Sequence, residues 1–500
     1  MFTKEYKIGK YSIEIHMLNQ PLISNDGQYF FGMPYGNVRN ENILNDLNGW
    51  WVHINSSNEK LEITNDILGG FRLYYVVEGT NIYISDNYNL ILPYLKSIEK
   101  HTIEYQFWLK HGFTTGCSTF INGLNKLSPA SQLVVTEKGI VEESYFKGAE
   151  RGSNTLAHTN AVYEDLCSTF ETLVKSTDKK ILLFSGGKDS CLLLQFMIKF
   201  KIDFTPVFYK LNPMSKLGNK DLIRVRRISQ ELNLELEEIE IDLEKDTDSI
   251  LNEITKAQVF DKHFSLLHYI GNRNILRKYG KDTIIINGQS SDSILSFGPS
   301  ENSVMSKFRR FIMYKPSHLM SRIGVLLMEL KTKKKYRLPK NQKESLLALF
   351  DDTKYTRVID KNKSEAYYKY LDTYIEKQTK HLKNYASKEM YVKILSFCQG
   401  SDNQIVVNSS KRFGLKTIMP FATPRIVYST IKYKDENREI REPKYVINDI
   451  LIDKFNFDYG EVLSQTNNEV VAPTDSKEKI EKYMDKVDYA YASSAISIFN

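Results

Sequence analysis

The chain has 500 residues, 41% of them hydrophobic and 26% charged, the balance of an ordinary soluble protein with material for two or three domains. A net charge of +7 is small at this length: it admits anionic ligands such as nucleotides without requiring nucleic acid, and no RNA-binding or zinc-finger signature accompanies it. Cys117, Cys167, Cys191 and Cys398 lie far apart with no C-x-x-C pair, which argues against a disulfide framework or structural zinc. The first residues lack a signal-peptide core and no apolar run reaches membrane-spanning length, so a cytoplasmic protein is expected.

Up to about Glu142 the chain reads as short strands separated by turns. Gly49–Ile54, Arg72–Val77 and Asn81–Ser85 are rich in aromatic and β-branched residues, and Glu78-Gly79-Thr80 predicts a hairpin between the last two. The polar, glycine-containing stretch from Lys147 to Asn160 marks a boundary, giving expected domains 1–150 and 151–500. Ala161–Lys175 has helical spacing. Ile181–Phe184 reads as a buried parallel strand, Ser185-Gly186-Gly187 as a turn without side-chain bulk, and Cys191–Met197 as part of a helix packed on the sheet. Phe204–Tyr209, Leu236–Ile241 and Thr283–Asn287 are further strands, with a helix over Asp221–Leu232. This alternation predicts a parallel, Rossmann-like sheet with ligand groups at the carboxyl ends of its strands. From Ser303 to about Lys383 the chain is helical and basic, and a further helical block runs to the end.

A glycine turn that opens a helix offers backbone N–H groups and a positive helix terminus to phosphate oxygens. The spaced Gly-Lys-Ser/Thr of a Walker loop is missing. Ser185-Gly-Gly-Lys-Asp-Ser190 instead resembles the pyrophosphate loop of ATP pyrophosphatases, which cleave ATP between its α- and β-phosphates. Beyond it, Asp66–Tyr75 with Ile82–Asp86, Thr119–Pro129, Asn287–Asp292 and Gly414–Phe421 are similar, in order, to segments of asparagine synthetases. Ala130 stands where their turn ends in glycine.

This resemblance implies an N-terminal-nucleophile-type αββα sandwich over 1–150, then an α/β Rossmann-like adenine-nucleotide α-hydrolase domain with a helical C-terminal part. It implies ATP and Mg²⁺ as cofactors, Asp189 and Asp292 as metal carboxylates, and Ser185, Gly186, Gly187 and Ser190 as the pyrophosphate cradle. Phe184, Asn287 and Gly288 fall where the family contacts the nucleoside, and Phe208 is a further candidate. A helix N-cap is the competing reading of Asp292.

The departures narrow the chemistry. Glutamine-hydrolysing members begin with a cysteine nucleophile, whereas Phe2 follows Met1 here and Cys117 is the first cysteine. The resemblance is therefore to members such as β-lactam synthetases and lasso-peptide cyclases, which use an amine already present on the substrate. The family's proton acceptor, three residues before the second metal Asp, is Gln289, which takes no proton at neutral pH. Lys416 and Ile418 replace a family Glu and Arg, and Asn467 stands where a late lysine is expected. Lys444 matches another family lysine and is the candidate compensating charge; a snorkelling surface lysine is the alternative. His263 and His268 read first as satisfied structural histidines, with a base role as the alternative. The basic run Lys331–Arg337 reads as a solvated loop or as a grip on an acidic substrate, a carrier protein or RNA.

The expected activity is carboxylate adenylation followed by amide formation with a non-glutamine amine, acting on a small-molecule or peptide carboxylate in natural-product or cell-surface-polymer biosynthesis. A carrier or precursor peptide is a possible partner, with no nucleic acid or membrane expected. The alternative is a catalytically degenerate nucleotide-binding scaffold of the same fold.

Overall fold

The computed structural model describes residues 1–25, 27–35, 47–152, 155–212, 214–248, 251, 265–296, 304–351, 357–462 and 476–499. Alternating apolar and polar residues build two sheets in the first 150 residues. One has the spatial order Phe2–Ile8, Tyr11–Met17, Asn81–Ser85, Tyr74–Glu78, Leu124–Lys126. The other runs Gly139–Ser144, Ser131–Thr136, Lys60–Asn65, Asn48–Ser56, Gln28–Tyr35, Ile23–Asn25. Within Tyr11–Met17 the residues Tyr11, Ile13, Ile15 and Met17 are buried, the period of two that a strand covered on one face requires. They join Val52, Ile54, Leu61 and Ile63 of the second sheet in one core. The expected hairpin is present, with Glu78 opposite Asn81 and Gly79 at φ +64°.

The described residues do not show the helical layers expected of an αββα sandwich. Among the described residues, this half has one α-helix, Thr102–His111, and two 3-10 turns. Several connections are tight turns, such as Gly9-Lys10 between the first two strands, and leave no chain for a helix.

The second half carries a five-stranded sheet with the order Glu237–Asp242, Phe204–Asn212, Lys179–Leu183, Thr283–Ile286, Lys416–Ile418, parallel throughout. All four residues of Thr283–Ile286 are buried, as a central strand covered on both faces demands. In chain order these strands lie 3-2-1-4-5. The connections leaving the first and fourth strands therefore run to opposite sides, which opens a crevice beyond their carboxyl ends. Helices Lys188–Lys199 and Lys216–Glu231 make the first two crossovers, and Ser265–Tyr279 precedes the fourth strand. The helix Tyr445–Phe455 packs on Lys188–Lys199, bringing a late segment beside the glycine turn.

The two halves share a continuous core. Trp50 Nε1 donates to the Thr417 carbonyl at 3.1 Å, Gln404 Nε2 to the Gly69 carbonyl at 2.8 Å, and the Tyr391 hydroxyl to the Pro129 carbonyl at 3.0 Å.

Candidate active site

The glycine turn leaves the central strand and enters Lys188–Lys199 through Gly187, an N-cap with no side-chain hydrogen bond. The first-turn N–H groups thus have no capping side chain and no intrahelical acceptor. Gly186 has φ +70°, and a Cβ there would lie 2.9 Å from Val225 Cγ1, so only glycine fits. Its carbonyl is held by the Tyr459 hydroxyl at 2.9 Å and by Arg224 Nη1 at 3.4 Å. The Ser190 hydroxyl donates to the Gly187 carbonyl at 3.0 Å and stands 3.3 Å from Ser185 Oγ.

The second loop follows the neighbouring strand. Asn287 Oδ1 accepts from the Gln289 N–H at 2.8 Å, an Asx-type turn that curls the chain back over the crevice. Ser290 then adopts a left-handed conformation, φ +71°, and caps the short helix Ser291–Ile294 by backbone alone. Its hydroxyl donates to Asn403 Oδ1, just beyond the π-helical stretch Ile394–Asp402. Asp292 lies in the first turn of that helix, and the N-cap position belongs to Ser290. The loops touch: a Cβ on Gly288 would be 3.2 Å from Asp189 Cβ.

The two carboxylates converge on one cation. Lys444 Nζ lies 2.6 Å from Asp189 Oδ2 and 2.7 Å from Asp292 Oδ1. Lys444 is buried rather than snorkelling, sits in a left-handed conformation before Tyr445–Phe455, and donates its backbone N–H to Glu439 Oε1 at 3.0 Å. Glu439 also accepts from the Ser296 hydroxyl, linking the lysine turn to the second loop. Burial works against the Lys444 charge, but Asp189 and Asp292 more than offset it and hold its pKa above the usual range. About half of the Asp292 side chain faces the open cleft, yet the protein crowded around the other half disfavours its charge and raises the carboxyl; Lys444 opposes this and the charge of Asp189 adds to it.

A cleft of about 440 Å³ opens between the loops. It is lined by Phe184, Ser185, Asp189, Ser190 and Phe208, and on its far side by Asn287, Gly288, Gln289 and Asp292. Gly186 and Gly187 form the turn behind the first wall. His268 also lines the cleft, its ring edge-on to Tyr209 at 6.3 Å. Asp189 Oδ1 is buried without a hydrogen-bond partner, an uncommitted oxygen that suits a hard cation. Among the described residues no group of three His, Cys, Asp or Glu side chains could hold a metal. A two-carboxylate set fits Mg²⁺, which keeps waters and substrate oxygens as its remaining ligands.

Other candidates fall elsewhere. Lys416 pairs with Asp178 at 2.7 Å on the outer strand and does not line the cleft, and Ile418 pairs with Ile286 in the sheet. His263 and Asn467 lie outside the described residues. Burial, with Glu142 and Glu104, pushes the Cys117 thiol up to about 11, so it stays protonated at neutral pH. Glu439, Asn403, Arg224 and Tyr459, which shape the two loops, carry no local motif; their only signal is tertiary.

Fold and site together define a parallel α/β crevice flanked by an uncapped glycine-turn helix and a carboxylate pair. No protein-family profile and no curated protein matches the chain. Among solved structures it is similar to an NH3-dependent NAD synthetase from Campylobacter jejuni, at 18% identity over 45% of this chain and 95% of that one, TM-score 0.22. A second likeness is to an NMN synthetase from Francisella tularensis, at 10% identity over 70% of this chain and 97% of that one, TM-score 0.17. Superpositions this distant leave the chemistry to be argued from the site itself.

Proposed function

We propose that the chain is an ATP-dependent ligase that adenylates a carboxylate, releases pyrophosphate, and passes the acyl group to an amine not drawn from glutamine. The observation that carries this is the convergence of Asp189 and Asp292 on one cation position, beside the uncapped turn Ser185–Ser190 at the switch point of the sheet. Asp189 and Asp292 would hold Mg²⁺, which when bound neutralises charge growing on the departing pyrophosphate. Ser185, Ser190 and the N–H groups of the first helical turn take its oxygens. Phe184 and Phe208 give the nucleoside an apolar wall, and Asn287 and Gly288 set the opposite edge. Lys444, fixed by Glu439, supplies a positive charge that does not depend on the metal.

Amide formation then needs a neutral amine. Gln289 cannot accept its proton. His268 lines the same cleft, and in this reading it takes that proton. The first half, with its two facing sheets and protonated Cys117, serves in this reading as a nucleophile-free relative of the glutaminase sandwich. The substrate is a small-molecule or peptide acid, free or presented by a carrier or precursor peptide.

Incubation with ATP, Mg²⁺ and a panel of carboxylic acids should yield AMP and pyrophosphate with one class of acid, and Asp189→Asn should abolish this. Release of ADP and phosphate would contradict the assignment.

One observation favours a second reading, a nucleotide-binding scaffold without turnover: Lys444 already pairs with both carboxylates. Tight ATP binding with no pyrophosphate release across the whole panel selects it.

A further inference from the structure

The basic segment after the second loop is more than a solvated loop. Residues 304–340 contain eleven Lys and Arg against a single acid, Glu329, a net +10 where the whole chain carries +7. The excess positive charge of the molecule is thus concentrated in one stretch.

Its helix Leu319–Thr332 has two unlike faces. Ser321, Gly324, Val325 and Met328 are buried, and a Cβ on Gly324 would lie 3.0 Å from Ile312 Cδ1, so this face packs on the helix Val304–Tyr314. On the outer face Leu319 is 66% exposed, Ile323 37%, Leu326 60% and Leu330 79%. Their 4-3-4 spacing puts all four on one stripe of the helix. Exposed Arg322, Lys331, Lys333, Lys334 and Lys335 flank the stripe. Leaving four large aliphatic side chains in water on one helix is costly, and single exposed residues are the norm instead.

We propose that this face docks on an anionic lipid surface, lying in the plane of the interface with the four aliphatic side chains inserted and the lysines among the headgroups. Two features favour lipid over a helical protein partner. A specific helical partner is registered by charges of both signs along the seam, whereas every flanking charge here is positive. The sole acid, Glu329, is already engaged, accepting from the Tyr336 N–H at 2.7 Å. A cluster of one sign beside an apolar stripe matches a uniformly negative surface. A second copy of this chain is disfavoured by the same charge, which would face itself. No helix among the described residues is long and apolar enough to cross a membrane, so the contact is peripheral.

The test is flotation of the full chain with phosphatidylcholine vesicles, plain or containing about one-third phosphatidylserine. The wild type should float with the anionic vesicles and stay behind with the neutral ones, and added salt should release it. Replacing Lys333, Lys334 and Lys335 together by Gln should weaken binding about a hundred-fold. Leu326→Ser with Leu330→Ser should weaken it about ten-fold or more. All these positions are exposed, and circular dichroism checks that both variants stay folded. The proposal is overturned by failure of the wild type to bind anionic vesicles. It is equally overturned by binding that ignores the lysine changes, or by capture of an acidic amphipathic peptide in place of vesicles.

Discussion

At the scale of single residues, the site is a balance of charges that one side chain mediates. Lys444 sits where a cation between Asp189 and Asp292 belongs. Lys444→Gln leaves two carboxylates facing each other, and we expect it to cost about 2 kcal/mol, less than a fully buried pair because Asp292 is half exposed. Mg²⁺ should restore much of that loss. Thermal unfolding with and without Mg²⁺ checks this, and a Mg²⁺-insensitive loss would count against a shared cation position. Ser290 holds a conformation that favours glycine, offset by its hydrogen bond to Asn403. Ser290→Ala keeps the strain and loses the bond, so it should lower stability by about 1–2 kcal/mol, and Ser290→Gly by less. The Ser185–Ser190 string was legible because glycines, hydroxyls and carboxylate all fall within six residues. Glu439 and Asn403 act from more than a hundred residues beyond the loop they support, where no local pattern points to them.

At the scale of elements, a strand, a glycine turn and a helix form one functional unit. Gly186→Ala meets both positive φ and Val225, so it should destabilise the protein by at least about 1–2 kcal/mol and weaken ATP binding more than Ser185→Ala does. Equal losses of affinity in the two variants, measured by titration calorimetry, would argue against a backbone cradle. The strands around Trp50, Tyr75 and Ile84 were readable because aromatic and β-branched residues are concentrated there. Thr283–Ile286 was readable as an unbroken apolar run. The fifth strand, Lys416–Ile418, escaped because three residues carry no period and its place is fixed by pairing with Thr283–Ile286. Over 1–150 the described residues form two sheets, and one α-helix, Thr102–His111, lies among the connections.

At the scale of the whole molecule, buried histidines couple stability to pH. His111 Nε2 lies 3.0 Å from Asp351 Oδ1 and joins the first half to the second. Burial, aided by Lys110 and opposed by Asp351, lowers its pKa from the usual 6.5 to about 4, so the contact is a neutral hydrogen bond. For Asp351 burial opposes the charge, but His111 and Lys110 outweigh it and hold the carboxyl at about 2. His158, between Tyr445 and Thr430, is lowered to about 3 by burial and by Lys434. In the window from about pH 6.5 to 4 the unfolded chain protonates these histidines and the folded one does not, so their contribution to stability falls as pH falls. Asp66 and Asp165, whose carboxyls burial raises to about 6, act in the opposite sense. Denaturant unfolding should show His111 alone contributing about 3 kcal/mol of that loss by pH 4, with His111→Gln flattening the slope. Identical slopes in the wild type and His111→Gln would refute the coupling. All of this holds in place a crevice whose purpose is tested by calorimetric titration of ATP into the intact protein with and without Mg²⁺. We expect one site, Mg²⁺-dependent, its affinity reduced at least ten-fold in Asp292→Asn; no nucleotide binding, or binding indifferent to both the metal and Asp292, would contradict the account.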